Sequence, residues 1–233
     1  MRLALCGLLA TLLLSLPALA EETTPASPPT ATTPSTVTAE PEQPVLGLTV
    51  GEAVPEFKLM GTDGELVSLQ QDLLGKGQWI VLVTYRGGWC PFCNTHLQAL
   101  RELPPDLATR GARLVAVSVD TPANEQATIE AHDLGFLVLS DPTAAMLGDY
   151  HLQNHMDDAT VEKYVGYGID LHAASGQDHQ IIAHPAVLLI DPEGILRFQH
   201  VNPDYKVRLS PTEILDALDA AQTVAESAML ATP

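Results

Sequence analysis

"YRGGWCPFC", Tyr85 to Cys93, is the stretch on which the fold turns. An apolar, β-branched run, "WIVLVTY" (Trp79–Tyr85), leads into it and reads as a strand. A helical pattern over Pro91–Leu103 leads out, with Leu97, Leu100 and Leu103 on one side. Gly87 and Gly88 turn the chain between the two, and Pro91 suits the first position of a helix, so Cys90 falls at the helix N-terminus. Three roles compete for the cysteine pair. As a staple it closes a loop so short that the chain-entropy gain is only ~2 kcal/mol. As a zinc site it lacks a second pair, and His96 on the same helix adds at most a third ligand. Redox chemistry fits the neighbourhood best: unpaired N–H groups and the helix dipole favour a thiolate at Cys90, and Cys93, one turn in, is placed to resolve a mixed disulfide or a sulfenic acid.

Working outward, "ARLVAVSVD" (Ala112–Asp120), "FLVLSD" (Phe136–Asp141) and "AVLLID" (Ala186–Asp191) are nearly continuous apolar runs that suit strands covered on both faces. A second helix is expected over Asn124–Leu134. The "DPEG" turn (Asp191–Gly194) returns "ILRF" as an antiparallel strand. A last helix opens at "SPTE", with Ser210 and Glu213 forming a capping box and Ile214, Leu215, Leu218 and Ala221 forming its apolar stripe. The fold class is therefore α/β, a sandwich with a mixed central sheet flanked by helices. Residues 150–183 interrupt the rhythm with weak periodicity, as expected of a functional or partly disordered insertion, with a short helix around Ala159–Val165.

The first twenty residues carry Arg2, an apolar core and an Ala-x-Ala ending, the layout of a cleaved secretory signal; left uncleaved, the segment could serve as an N-terminal membrane anchor. Residues 21–44 hold six prolines and no aromatic residue, and read as a disordered tether. A single domain over 45–229 follows. Export to an oxidising compartment, the periplasm or its equivalent, lets the remaining pair, Cys90 and Cys93, cycle between dithiol and disulfide. The formal charge of −18 makes nucleic acid and anionic membrane surfaces poor partners, and no stable membrane insertion is expected once the signal is removed.

These residues carry a resemblance. "GGWCPFC" on a strand-to-helix turn, "AHPAVLLIDPEGILRF" (Ala183–Phe198) and the opening "VGEAVPEFKLMGTDGELVSLQQDLLGKG" (Val50–Gly77) resemble the thioredoxin-fold redoxins, most closely the peroxiredoxin-like branch of the alkyl hydroperoxide reductase/thiol-specific antioxidant family. The resemblance spans Leu48 to Ala220 and implies a thioredoxin-like fold with an N-terminal hairpin and a nucleophilic Cys90. The departures from the family are specific. Val83 and Gly87 stand where peroxiredoxins place the Pro and Thr ahead of their peroxidatic cysteine, and Pro185 stands in place of their arginine. Arg86 is a candidate for the missing cation. Pro185 instead matches the cis proline that thioredoxins set opposite their Cys-x-x-Cys, while Thr84 occupies the place of their buried acid. The resemblance thus implies a thiol–disulfide oxidoreductase acting on a protein or small thiol or disulfide, fed by a thiol electron donor, with Trp89, His184 and Pro185 lining the substrate groove. A thiol peroxidase acting through a Cys90 sulfenic acid is the alternative. Copper carriers of this fold form a third class, but they pair Cys-x-x-x-Cys with a distant histidine, so no metal and no cofactor is expected here. His151, His155, His172 and His179 read as scattered histidines of a polar insertion.

Overall fold

The computed structural model describes residues 45–230; the leader expected over 1–20 and the tether expected over 21–44 lie outside them. The strands are β1 (Lys58–Gly61), β2 (Leu66–Ser68), β3 (Trp79–Thr84), β4 (Ala112–Ser118), β5 (Leu137–Ser140), β6 (Gln153–His155), β7 (Ile181–Ala183), β8 (Ala186–Ile190) and β9 (Leu196–Val201). Seven of them form one sheet in the order β2-β1-β5-β4-β3-β8-β9, and β6 pairs with β7 separately. β3, β4 and β5 run parallel; on one side β8 pairs antiparallel with β3 and β9 antiparallel with β8, and on the other β1 pairs antiparallel with β5 and β2 antiparallel with β1. This is the thioredoxin-like α/β sandwich that the resemblance implies.

The continuous apolar runs become the inner strands because both faces of the sheet are covered. Ile80, Leu82, Val117 and Leu188 pack on one face with Leu69, Leu73 and Tyr150. Val81, Val83, Leu114 and Leu189 pack on the other with Leu100, Leu107, Ile214 and Leu218. The expected helix over Pro91–Leu103 is two helices, α1 (Pro91–Leu100) and α2 (Pro104–Thr109). Pro104 and Pro105 have no N–H to give the carbonyls four residues back, so the first helix stops ahead of them. Helix α3 spans Pro122–His132, two residues earlier than expected, because Thr121 accepts the Asn124 N–H as N-cap and Pro122 follows it. Within residues 150–183, which follow α4 (Ala145–Asp149), lie α5 (Asp158–Gly166), covering the expected short helix, α6 (Leu171–Ser175) and the β6–β7 pair. Asp157 and Asp170 cap α5 and α6 through the Thr160 and Ala173 N–H groups. Helix α7 (Pro211–Leu230) begins in the expected Ser210–Glu213 capping box, with reciprocal bonds of 2.7 and 3.3 Å.

One polar cluster interrupts the core at the C-terminal ends of β3 and β4. Glu125 of α3 is fully buried and hydrogen-bonded to the Tyr85 and Ser118 hydroxyls, the latter at 2.6 Å. Asp120, 2 % exposed, is tied to Ser118 through its own N–H at 3.0 Å. Burial, reinforced by the charge of Asp120, pushes Glu125 up to about 8, and burial pushes Asp120 up to about 6. Folded Glu125 therefore holds a proton that the unfolded chain, titrating near 4.5, releases. Between those values the native state carries the extra proton, so this group's contribution to stability falls as pH rises, by at most about 1.4 kcal/mol per pH unit, while Cys90, lowered by folding to about 6, contributes in the opposite sense above that value. Glu125→Gln is expected to remove this falling contribution, so that between about pH 6 and pH 8 the variant's stability rises with pH relative to the native protein's. Urea unfolding at several pH values reads it directly, and an unchanged slope in the variant would place the proton elsewhere.

Candidate active site

The turn between β3 and α1 is shaped by two close approaches. Gly87 has φ 142°, and a side chain there would meet Trp89 Nε1 at 2.3 Å and Asp120 Oδ1 at 2.7 Å. A Cβ on Gly88 would lie 2.0 Å from Thr128 Oγ1 of α3. The glycine in place of the peroxiredoxin threonine is thus required by this backbone path. The Gly88 N–H donates to Asp120 Oδ2 at 2.7 Å, and Asn94 Nδ2 donates to the Gly88 carbonyl at 2.7 Å, fixing the turn from both sides. Cys90 then takes an extended N-cap conformation (φ −91°, ψ 112°), with Pro91 entering α1 and the Asn94 N–H bonding the Cys90 carbonyl at 3.0 Å.

Both thiols are free and buried, Cys90 being 1 % exposed, in an apolar cluster with Tyr85, Leu97, Ala116 and Val138. Their proton affinities are pulled apart. Hydrogen bonding from the Cys93 thiol, with the Cys93 N–H, Arg86 and Arg208 adding to it and burial opposing, lowers Cys90 to about 6. Burial, followed by the hydrogen bond and charge of Cys90, pushes Cys93 well above the ordinary thiol value. Arg86 Nη1 lies 4.0 Å from Cys90 Sγ, and Arg208 Nη2 donates to Cys93 Sγ at 3.5 Å. The Arg86 guanidinium is held by the Tyr164 hydroxyl of α5 and stacks over Tyr205 at 4.1 Å. Arg208 also donates to the Tyr205 carbonyl at 2.6 Å, and the Phe92 and Tyr205 rings meet edge-on at 5.5 Å. A guanidinium near each sulfur, roofed by aromatic rings, is the arrangement in which a thiolate is stabilised without a metal ion.

Trp89 packs beside the dithiol turn, 5.6 Å from the Tyr164 ring and 5.3 Å from the Arg86 guanidinium, and it borders a cavity of about 390 Å³ lined also by Asp120, Thr128 and Ile169. Pro185 is buried one residue before β8, whose Ala186 faces Thr84, and it shares a small recess with Arg208, His96 and Leu209. The Thr84 hydroxyl, at the position of the thioredoxin acid, donates to the His184 carbonyl at 2.7 Å. His184 is half-buried, and burial lowers its pKa, so its ring is neutral; the cations beside the sulfurs are Arg86 and Arg208. His96 turns its Nε2 to the Leu209 carbonyl at 2.9 Å, pinning the loop that carries Arg208 against α1. Three of the four insertion histidines have separate local partners: His155 meets Gln153, His172 meets Asp178 and His179 meets the Pro142 carbonyl. Among the described residues no group of three His, Cys, Asp or Glu side chains is arranged to hold a metal ion, and no helix is long and apolar enough to cross a membrane.

Sequence reasoning missed Arg208, Tyr205, Tyr164, Asp120 and Glu125. The signal it could have used is the basic pair in "YKVR" (Tyr205–Arg208), just ahead of the last helix of an acidic chain.

The AhpC/TSA family pattern matches residues 50–199. The chain is 27% identical over 125 residues to the thiol-disulfide oxidoreductase ResA of Bacillus cereus, covering 50% of this chain and 70% of that one. It is 25% identical over 190 residues to the 1-Cys peroxiredoxin PER1 of Hordeum vulgare, covering 80% and 78% of the two chains. Among solved structures, peroxiredoxin 6 of Arenicola marina superposes with a TM-score of 0.62 at 21% identity, over 77% of this chain and 76% of that one. The peroxidoxin BcpB of Mycobacterium tuberculosis superposes with a TM-score of 0.58 at 15% identity, over 77% and 99%. With the match spanning well over half of its length, this chain belongs to the AhpC/TSA family and is a thiol-dependent oxidoreductase.

Proposed function

We propose that the protein is an exported thiol–disulfide oxidoreductase that cycles Cys90 and Cys93 between dithiol and disulfide. The observation that carries this reading is the pair of adjacent thiols at the start of α1 with proton affinities moved in opposite directions. The Cys90 thiolate attacks one sulfur of a substrate disulfide, the substrate S–S bond breaks, and one thiolate leaves. Cys93 then gives its proton to a leaving thiolate and attacks the Cys90 sulfur, forming the protein disulfide and releasing the second thiol, so that two electrons pass from protein to substrate. A thiol donor reverses the step. Trp89, His184 and Pro185 are proposed to border the groove that receives the substrate. The leader pattern over 1–20 supports export, either to a periplasm or on an N-terminal anchor.

A second reading, a thiol peroxidase, is favoured by one observation. The Arg86 guanidinium stands beside Cys90 Sγ, supplying a cation to the nucleophile even though Pro185 occupies the family's arginine position. Here the Cys90 thiolate attacks one peroxide oxygen, the O–O bond breaks and the other oxygen leaves with a proton as water or an alcohol; the resulting Cys90 sulfenic acid then condenses with the Cys93 thiol, releasing water and leaving the same disulfide.

Three measurements test these roles. Cys93→Ser is expected to accumulate a mixed disulfide through Cys90, and Cys90→Ser to trap nothing; equal trapping by both would reverse the roles. Alkylation of Cys90 in the reduced protein, read by peptide mapping with Cys93 kept in place because its thiol hydrogen bond contributes most to the thiolate, should rise with pH as the thiolate forms. Native Cys90 should reach half its maximal rate near pH 6, and Arg86→Met should shift that midpoint upward, since the removed cation favours the thiolate. An unmoved midpoint would take Arg86 out of the thiolate's environment. Stopped-flow oxidation by hydrogen peroxide separates the two readings, because a rate no better than a free thiolate's removes the peroxidase and a rate orders of magnitude faster promotes it.

A further inference from the structure

The chain is strongly acidic, yet the dithiol is surrounded by cations. Arg86 comes from the end of β3, and Lys206 and Arg208 come from the segment between β9 and α7. The Lys206 ammonium lies 5.7 Å from the rings of both Phe92, between the two cysteines, and Tyr205, which itself stacks on Arg86. None of the three forms an ion pair among the described residues; the arginines that pair with carboxylates are Arg101, Arg110 and Arg197. The carboxylate of this loop, Asp204, accepts the Lys206 backbone N–H at 3.0 Å and so is engaged in its own turn. Arg86, 7 % exposed, keeps its Nε without a hydrogen-bond partner. Above about pH 6 the Cys90 thiolate and the buried Asp120 carboxylate offset two of these three positive charges from the core side, and the remaining excess lies outward, at the rim, where a negative ligand would neutralise it.

Resting on the thiol-exchange reading, we propose that the preferred substrates are small disulfides bearing carboxylates near the sulfur bridge, recognised by Lys206 and Arg208. Small size follows from access. Cys90 is 1 % exposed beneath Arg86, Tyr164 and Tyr205, so these side chains must part to admit a substrate, and a small one requires the least movement. The charge selection follows from the cations, which attract the carboxylate at contact and orient its neighbouring S–S bond toward the Cys90 thiolate. The chemistry remains the two-electron exchange above, with one substrate S–S bond broken and one protein S–S bond formed.

The test compares two disulfides on the full chain, reduced beforehand and freed of reductant: 3,3′-dithiodipropionate, a dianion, and 2-hydroxyethyl disulfide, neutral and of similar size. Each rate is divided by that disulfide's rate with dithiothreitol, which removes intrinsic reactivity. The dianion is expected to react about tenfold faster on this scale. Lys206→Glu is expected to reduce the ratio about fivefold or more, the effect of a lost and reversed exposed charge contact. Lys58→Gln, a charge change on β1 with β5 and β4 between it and β3, should leave the ratio where it was. Circular dichroism and the urea midpoint are checked for each variant, because an unfolded fraction would expose both thiols to either disulfide and draw the ratio toward one. A ratio near one in the native protein, or one that Lys206→Glu does not lower, overturns the substrate class while leaving thiol exchange standing. Failure of both disulfides to oxidise the Cys90–Cys93 pair overturns the exchange reading and this inference with it.

Discussion

The closeness of the β3–α1 turn to α3 is the constraint from which the rest of the site follows. Thr128 Oγ1 and Asp120 occupy the volume that side chains at positions 88 and 87 would need, so glycine is required at both. Because the turn is this tight, the Gly88 N–H reaches the Asp120 carboxylate and Cys90 arrives at the first turn of α1 with its sulfur toward the Cys93 thiol and N–H. A longer side chain at either position would push the turn off α3, and both the thiol pair and the guanidinium of Arg86 would move with it.

The site sits on a charge gradient. Below it, toward the core, Asp120 and Glu125 are buried carboxyls whose proton affinities are raised by that burial. Above it, Arg86 and Arg208 face the sulfurs from two separate segments of the chain. The two sides oppose each other in effect, since a thiolate at Cys90 raises the proton affinity of Asp120 while the guanidiniums lower that of Cys90. In a fold with the usual acid at position 84 the carboxyl would come from β3 itself. Here Thr84 is engaged with the His184 carbonyl, and the buried acids come from the β4–α3 connection instead.

Much of this was legible in the sequence. The inner strands announced themselves because a strand covered on both faces must be apolar throughout, as Trp79–Thr84 and Ala186–Ile190 are. The dithiol was legible because its surroundings are local: strand, glycines, cysteine and helix follow one another within the quoted stretch. What escaped was nonlocal. Arg208 reaches Cys93 across 115 positions and Tyr164 reaches Arg86 across 78, and no periodicity encodes such pairs. Glu125 escaped for a different reason, because an isolated acid in a helix is ordinarily solvated and only its pairing with Tyr85 and Ser118 makes burial tolerable. Apart from the expected short helix around Ala159–Val165, the elements at 150–183 escaped because they are only three to five residues long and are closed by an aspartate cap and a two-stranded pairing rather than by an apolar stripe.

The choice of arginine over histidine as the cation beside the sulfurs has a chemical consequence. An imidazole near the dithiol would assist a thiolate only while protonated, and its help would fade as the pH rises through neutrality. His184 is already neutral, being half-buried with its pKa lowered by burial. A guanidinium stays charged at every relevant pH. The nucleophile's availability is then set by the titration of Cys90 near 6, and above that value the cations remain as a fixed field that acts equally on an incoming negative group. The cations that stabilise the thiolate and those proposed to attract an anionic substrate therefore belong to one cluster, in which Arg86 and Arg208 face the sulfurs and Lys206, over the Phe92 and Tyr205 rings, stands at the rim.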